Sequence, residues 1–222
     1  MSDAVFPFRS IVVSCQAAPA NPLHGPVPMT LMARAAEAGG AAGIRANGPA
    51  DVAAISAAVS IPVLGINKTG DRDGVYITPT FEAAEEVVRA GATVVALDGT
   101  RRPRPGGDLT ELIAAIHDRL GVPVMADVDT LAAGRYARAA GADLVGSTLS
   151  GYTGVPLHGD GPDLALVRAL ADELDCPIVA EGRYWTRDDV LAGFAAGAHA
   201  VVVGTAVTNP MAITRRLVEA VR

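Results

Sequence analysis

The stretch GVPVMADVDTLAAGRYARAAGADLVGST, residues 121–148, holds one complete unit of a pattern that runs through the whole chain. Pro123 opens a short apolar run that ends on Asp127, a longer mixed stretch follows and stops at Gly141-Ala142, and a second apolar run begins at Leu144 and ends at Thr148. Glycine at a helix exit supplies the left-handed residue that closes the last turn. Strand, helix and strand in that order make a βαβ unit.

Outward from this unit the same punctuation returns. Gly-Ala exits recur at Gly40-Ala41, Gly91-Ala92 and Gly197-Ala198, and proline-entered runs recur at Pro62 and Pro177. Both sets repeat at about 50 to 60 residues, the size of a βαβα unit, so four such units stand in series. Eight strands are expected: Ile11 to Gln16, Ala42 to Arg45, Pro62 to Lys68, Thr93 to Asp98, Pro123 to Asp127, Leu144 to Thr148, Pro177 to Glu181 and Ala200 to Thr205. Helical periodicity is seen over Ala50 to Val59, Phe81 to Ala90, Leu109 to Leu120, Asp163 to Leu174 and Arg187 to Ala196. Continuous apolar strands joined by helices imply a parallel sheet covered on its outer face. Eight βα units predict a closed (β/α)8 barrel, an α/β fold of one domain spanning residues 1–222. An open doubly wound sheet would have fewer strands and a glycine-rich first turn. Here SCQAAP follows the first strand instead of GxGxxG.

Composition narrows the function. The 222 residues are 50% hydrophobic but only 4% aromatic, and 18 Lys plus Arg against 24 Asp plus Glu leave a net charge of -6. Such a chain has no basic face for a nucleic-acid backbone or anionic lipid, so neither partner is expected. Apolar runs are broken well before the roughly 18 residues of a membrane span. The start, MSDAVFPFRS, lacks a secretory signal pattern, and the two cysteines, Cys15 and Cys176, lie far apart. A cytoplasmic location is expected. The 18 basic residues are 17 Arg and one Lys, Lys68. A lysine kept in so arginine-biased a chain points to a task that arginine cannot do, above all release of a proton.

In a (β/α)8 barrel the active site lies at the C-terminal ends of the strands. Those ends read Gln16, Arg45, Lys68, Asp98, Asp127, Thr148, Glu181 and Gly204-Thr205. The side-chain period of two aims Lys68, Asp127 and Glu181 inward, with Ile66, Met125 and Val179 below them. One strand-end acid alone is usually a cap or a surface partner. A Lys, an Arg, two Asp and a Glu on five strand ends exceed what capping requires. The glycine turns Glu181-Gly182-Arg183 and Val203-Gly204-Thr205 follow strands seven and eight, where barrels of this kind cradle phosphate against main-chain N–H groups. Glycine permits that close approach.

Other residues carry less. His24, His117, His158 and His199 have no metal-ligand spacing, so no metal site is expected. Cys15 should point away from the barrel axis as a core thiol. Trp185 either covers the site or packs beside it. The run Arg101-Arg102-Pro103-Arg104-Pro105 lies on the catalytic face and suits an anionic or polyhydroxyl substrate.

The segments SCQA (14–17), GIRANG (43–48), ITPT (77–80), ALDGTRRPRP (96–105), MADV (125–128), TLSGYT (148–153), AEGR (180–183) and VVVGTAV (201–207) together resemble N-acetylmannosamine-6-phosphate 2-epimerases. The resemblance implies a (β/α)8 enzyme, commonly dimeric, that acts on a phosphorylated N-acetyl amino sugar in cytoplasmic sialic-acid and amino-sugar catabolism without a cofactor. It also implies that Lys68 and Glu181 transfer protons, that Gln16, Arg45 and Asp127 hold the sugar, and that the turns at Gly182 and Gly204, with Arg183 and Thr205, hold its phosphate. Two departures stand out. Relatives commonly carry Arg before the proline of the last helix, where this chain has Asn209. A basic-acidic-aromatic run often follows the lysine, where this chain has Thr69-Gly70-Asp71.

Inversion next to a carbonyl removes one proton, holds an enolate and returns a proton to the other face. Lysine serves as the base when its pKa falls from about 10.4 toward neutrality; a nearby Arg45 pushes it that way and nearby acids oppose it. A Schiff-base lyase acting on a sugar phosphate through Lys68, or a barrel that binds such a ligand without turnover, would draw on the same residues.

Overall fold

The computed structural model describes residues 5–71, 73–154 and 159–222. Eight parallel strands, β1 (Ser10–Cys15), β2 (Gly43–Asn47), β3 (Val63–Ile66), β4 (Val94–Asp98), β5 (Val124–Asp127), β6 (Leu144–Gly146), β7 (Ile178–Glu181) and β8 (Ala200–Val203), pair in sequence order and close through β1 and β8. The expected barrel is therefore present. The helices are α1 (Pro26–Ala38), α2 (Pro49–Ser56), α3 (Phe81–Arg89), α4 (Leu109–Leu120), α5 (Leu131–Ala139), α6 (Leu164–Glu173), α7 (Arg187–Ala195), the short α8 (Thr205–Thr208) and α9 (Pro210–Glu219).

Alternation along the strands divides the core into two layers. Val12, Leu64, Ile66, Val94, Met125, Val179 and Val202 point into the barrel, with Phe6 beside them. Val13, Cys15, Ile44, Val95, Leu97, Ala126, Val145 and Val201 face outward and pack with Met29, Val52, Val87, Ile113 and Leu170 of the helices. Phe6 is fully buried at the start of β2, where a Cβ on Gly43 would lie 2.5 Å from its ring. Only glycine leaves that room. Cys15 is a core thiol as expected, and burial, with help from Asp51, pushes its pKa up to about 12.

The punctuation works as its chemistry demands. Gly40, Gly91, Gly141 and Gly197 all have φ between 93° and 106°, the left-handed region that closes the preceding helix. Pro26, Pro49 and Pro210 open helices, while Thr80, Asp108, Thr130, Asp163 and Thr186 cap others through their side chains. Four strand readings ran long at their C-termini, since β1 stops before Gln16, β3 before Lys68 and β6 before Thr148, and Thr205 opens α8, while the second ran short, β2 continuing past Arg45 to Asn47. The cause is tertiary. Beyond β3 the chain folds back as a hairpin, with Lys68 bridged antiparallel to Ile77, Thr69 N–H donating to Tyr76 O at 3.0 Å and Thr78 N–H to Asn67 O at 2.9 Å. Thr78, buried at φ 45°, fixes the return: its hydroxyl donates to Ala96 O of β4 at 2.6 Å and accepts from Asn67 N–H at 3.0 Å. This hairpin carries Lys68 over the barrel mouth.

Candidate active site

A cavity of about 440 Å³ opens at the C-terminal end of the barrel. Gln16, Arg45, Lys68, Glu181, Gly182, Arg183, Gly204 and Thr205 all line it. Asp127, also expected to hold the sugar, is fully buried and lies behind that wall, held to Arg45.

Arg45 is 1% exposed, a guanidinium taken almost wholly out of water in the middle of β2. Its fork donates to both oxygens of Asp127, Nη1 to Oδ1 at 3.0 Å and Nη2 to Oδ2 at 2.6 Å, and Nη1 also reaches Glu181 Oε2 at 2.9 Å. Bidentate pairing to carboxylate is what the planar guanidinium is shaped for. The Thr148 hydroxyl lies 2.6 Å from Asp127 Oδ1 and 3.3 Å from Glu181 Oε2, closing the cluster from the β6 side. Two carboxyls thus share one guanidinium in a buried place. Burial penalises the charge on Arg45, but Asp127 and Glu181 outweigh it and hold the guanidinium protonated. Burial acts on Glu181 without full compensation: Arg45 and Lys68 lower its pKa, as a hydrogen bond from Thr148 would, Asp127 raises it, and the net effect is a rise to about 7. A carboxyl poised near neutrality can both give and take a proton.

Lys68 approaches from the hairpin. Its Nζ donates to Gln16 Oε1 at 2.8 Å, and Gln16 Nε2 in turn donates to Ser14 Oγ at 2.8 Å. The ammonium also acts electrostatically on Glu181. Lysine and glutamate therefore act on one volume from different strand ends.

The glycine turns stand at the same mouth. Gly182 has φ 109° and Arg183, unusually for a residue with a side chain, has φ 62°. The Arg183 guanidinium donates to Gly161 O at 2.9 Å and Ser150 O at 3.0 Å and lies 5.2 Å from the Tyr152 ring centre. Asn209 lines the cavity too, but as a cap: its Oδ1 accepts from Ala212 N–H of α9 at 3.1 Å and from Asn21 Nδ2 at 3.2 Å.

Several expectations come out differently. Asp98 does not join the cavity wall. It is fully buried, accepts from the Thr100 hydroxyl at 2.6 Å, and pairs with Arg102 at 2.6 Å. Arg104 donates to the carbonyls of Asp98 and Thr100 at 2.8 and 3.3 Å, and Arg101 packs over Tyr136 at 5.9 Å. The arginine run is thereby engaged within its own loop and neighbouring helix, because a buried carboxylate and loop carbonyls need donors nearby. His24, His117 and His199 each meet a protein oxygen, at Ala17 O, Asp143 Oδ2 and Phe6 O; His158 lies outside the described residues. Trp185 does both things considered for it, lining the cavity while Arg216 stacks on it at 4.6 Å. Tyr76, Leu149 and Tyr152 also line the site and were not anticipated. They ride on loops with no periodicity to reveal them.

Likeness to known proteins agrees with this geometry. A family model described as "Putative N-acetylmannosamine-6-phosphate epimerase" matches residues 29–222. Curated relatives named "Putative N-acetylmannosamine-6-phosphate 2-epimerase" include one from Cutibacterium acnes, 51% identical over 96% of this chain and 93% of its own. Another, from Caldanaerobacter subterraneus, is 47% identical over 95% and 90%. The solved N-acetylmannosamine-6-phosphate 2-epimerase of Clostridium perfringens superposes with a TM-score of 0.92 at 38% identity, covering 96% of this chain and 93% of that one. With the motifs spread over all eight strand ends and the match running almost the full length, the chain belongs to the N-acetylmannosamine-6-phosphate epimerase family.

Proposed function

We propose that this barrel interconverts N-acetylmannosamine 6-phosphate and N-acetylglucosamine 6-phosphate, with Lys68 and Glu181 as the two proton-transferring groups. The observation that carries the reading is the pairing of Lys68 with a near-neutral Glu181 across one cavity, in a chain of this family. The proton on carbon 2 is acidic only next to a free aldehyde, so the open-chain sugar is the reacting form. One of the two groups takes that proton as the C2–H bond breaks, and the electron pair moves onto the carbonyl oxygen. The other group gives a proton to the opposite face. Lysine retains the charge needed to steady the enolate whenever it is the donor. Asp127 acts through Arg45, holding the guanidinium against Glu181.

Arg183 and the turns at Gly182 and Gly204-Thr205 are the proposed phosphate holders, and Gln16 positions Lys68. The substrate is then a phosphorylated amino sugar of amino-sugar and sialic-acid breakdown, a cytoplasmic task that fits a chain in which no described helix is long and apolar enough to cross a membrane. A homodimer is the expected assembly, supported by α9, which buries none of its residues, and by the exposed Leu217, Val218 and Val221. The test is direct. Wild-type enzyme incubated with either sugar phosphate in heavy water should form the other epimer with deuterium at carbon 2; no interconversion of either sugar overturns the proposal.

A further inference from the structure

Thr148 was read from the sequence only as a strand end, yet it touches both carboxyls of the buried cluster. A threonine hydroxyl has one proton to donate. It therefore serves one carboxyl as donor and shows the other a lone pair. The distances decide which: 2.6 Å to Asp127 Oδ1 is the length of a hydroxyl donating to a carboxylate, whereas 3.3 Å to Glu181 Oε2 is long for the same bond. Arg45 supports the division, since its fork serves both oxygens of Asp127 and gives Glu181 one N–H. The lone pair left facing Glu181 repels an ionised carboxylate and accepts a hydrogen bond from a protonated one.

We infer that Thr148 is a positioning residue that biases Glu181 toward its protonated form in the free enzyme and so sets the pH at which Glu181 changes charge. The charged groups acting on Glu181 come from three other strand ends, Arg45 on β2, Lys68 beyond β3 and Asp127 on β5. Arg45 and Lys68 favour the carboxylate and Asp127 opposes it. A hydrogen bond donated by Thr148 to Glu181 would favour the carboxylate, but with its one proton committed to Asp127 at 2.6 Å the hydroxyl adds to the side of Asp127 instead. Hydroxyl orientation is thus an uncharged control on a charged site, and it leaves Glu181 Oε1, which takes part in none of these bonds, for the sugar.

The inference deepens the proposed function and rests on it for its catalytic meaning, but the test does not depend on turnover. Carbon-13 NMR of carboxyl-labelled full-length chain follows the titration of Glu181 in wild type, Thr148→Val and Thr148→Ser, each assigned by difference from Glu181→Gln. The Glu181 midpoint should fall by about one pH unit, a tenfold change in proton affinity, in Thr148→Val and stay within a few tenths in Thr148→Ser. The acidic limb of kcat/KM should move by the same amount, with serine restoring it. An unchanged or raised midpoint in Thr148→Val, or a serine variant that behaves like valine, overturns the inference; Thr148→Ala replaces valine should the latter not fold. Loss of epimerisation in wild type with the titration shift intact would sink the proposed function and leave the assignment of Thr148 standing.

Discussion

Two buried clusters of arginine and acid stand at strand ends of this barrel, and they do different things. At β4, one carboxylate, Asp98, meets Arg102 and the Thr100 hydroxyl, while Arg104 caps the carbonyls of Asp98 and Thr100. Donors there outnumber the acid. Across β2, β5 and β7 the ratio is reversed: Asp127 and Glu181 share one guanidinium. A cluster whose donors satisfy its acid is a brace, because nothing in it gains by moving a proton. A cluster with one carboxyl too many must hold a proton at a cost that changes near neutral pH, and it opens onto a cavity through Glu181. The surplus of charge, more than the residue types, separates chemistry from structure.

The comparison breaks most sharply at Lys68. Lys68→Arg keeps the charge but cannot shed a proton at working pH, so kcat should fall by about 1,000-fold or more, within the range that a positioned acid or base supplies, with circular dichroism unchanged. A variant keeping more than about a tenth of wild-type kcat, a loss below about 1.4 kcal/mol, would remove Lys68 from the chemistry.

Glu181→Gln tests the surplus itself. Turnover should drop at least about 100-fold and deuterium uptake at carbon 2 with it. Stability should move the other way. A carboxyl whose folded pKa is raised from 4.5 to about 7 favours the fold below pH 4.5 and loses that advantage as pH rises through 7. Glutamine removes the ionisation, so at pH 8 the variant should be more stable by up to about 3 kcal/mol, and at pH 4 nearly equal to wild type. Thermal unfolding at the two pH values reads this, and equal changes at both would contradict it. In wild type the same titration should make kcat/KM fall below about pH 7, as Glu181 takes up its proton.

At the brace the outcome should be reversed. Arg102→Met strands a fully buried Asp98, and because Arg102 is itself 23% exposed the expected loss is about 1 to 3 kcal/mol, with kcat within about threefold of wild type. Chemical denaturation and steady-state kinetics on one preparation decide it; a large kcat loss at unchanged stability would make the loop part of the active site after all.

Asn209→Arg has the smallest expected effect. The new cation stands at the cavity wall and should lower KM for the phosphorylated sugar a few-fold with kcat unchanged, while loss of the Oδ1 cap on α9 costs about 1 kcal/mol. An unaltered KM would move the phosphate away from Asn209.

Much of this was legible before any coordinates. The Gly-Ala exits and proline entries state where helices stop and strands start, because φ preferences are properties of single residues. Inward aim of Asp127 and Glu181 follows from a period of two within β5 and β7, whereas Lys68 lies past the end of β3 and is placed by the hairpin. The hairpin after β3 was not legible, since it depends on Thr78 bonding to Ala96 of the next strand, and with it went Tyr76. Capture of Asp98 by Arg102, four residues on, was hidden in plain sight: strand-end acids look alike until their donors are seated.

The order of residues was enough for the barrel, for its catalytic end and for the identity of the groups gathered there, all of which rest on local preferences and on parity. Which of those groups meet is another matter. Arg45 reaches acids 82 and 136 residues further along the chain, and no local rule selects Asp127 and Glu181 over Asp98. That choice belongs to barrel closure, which sets β2 across from β5 and β7 and leaves one guanidinium between two carboxyls, out of reach of water.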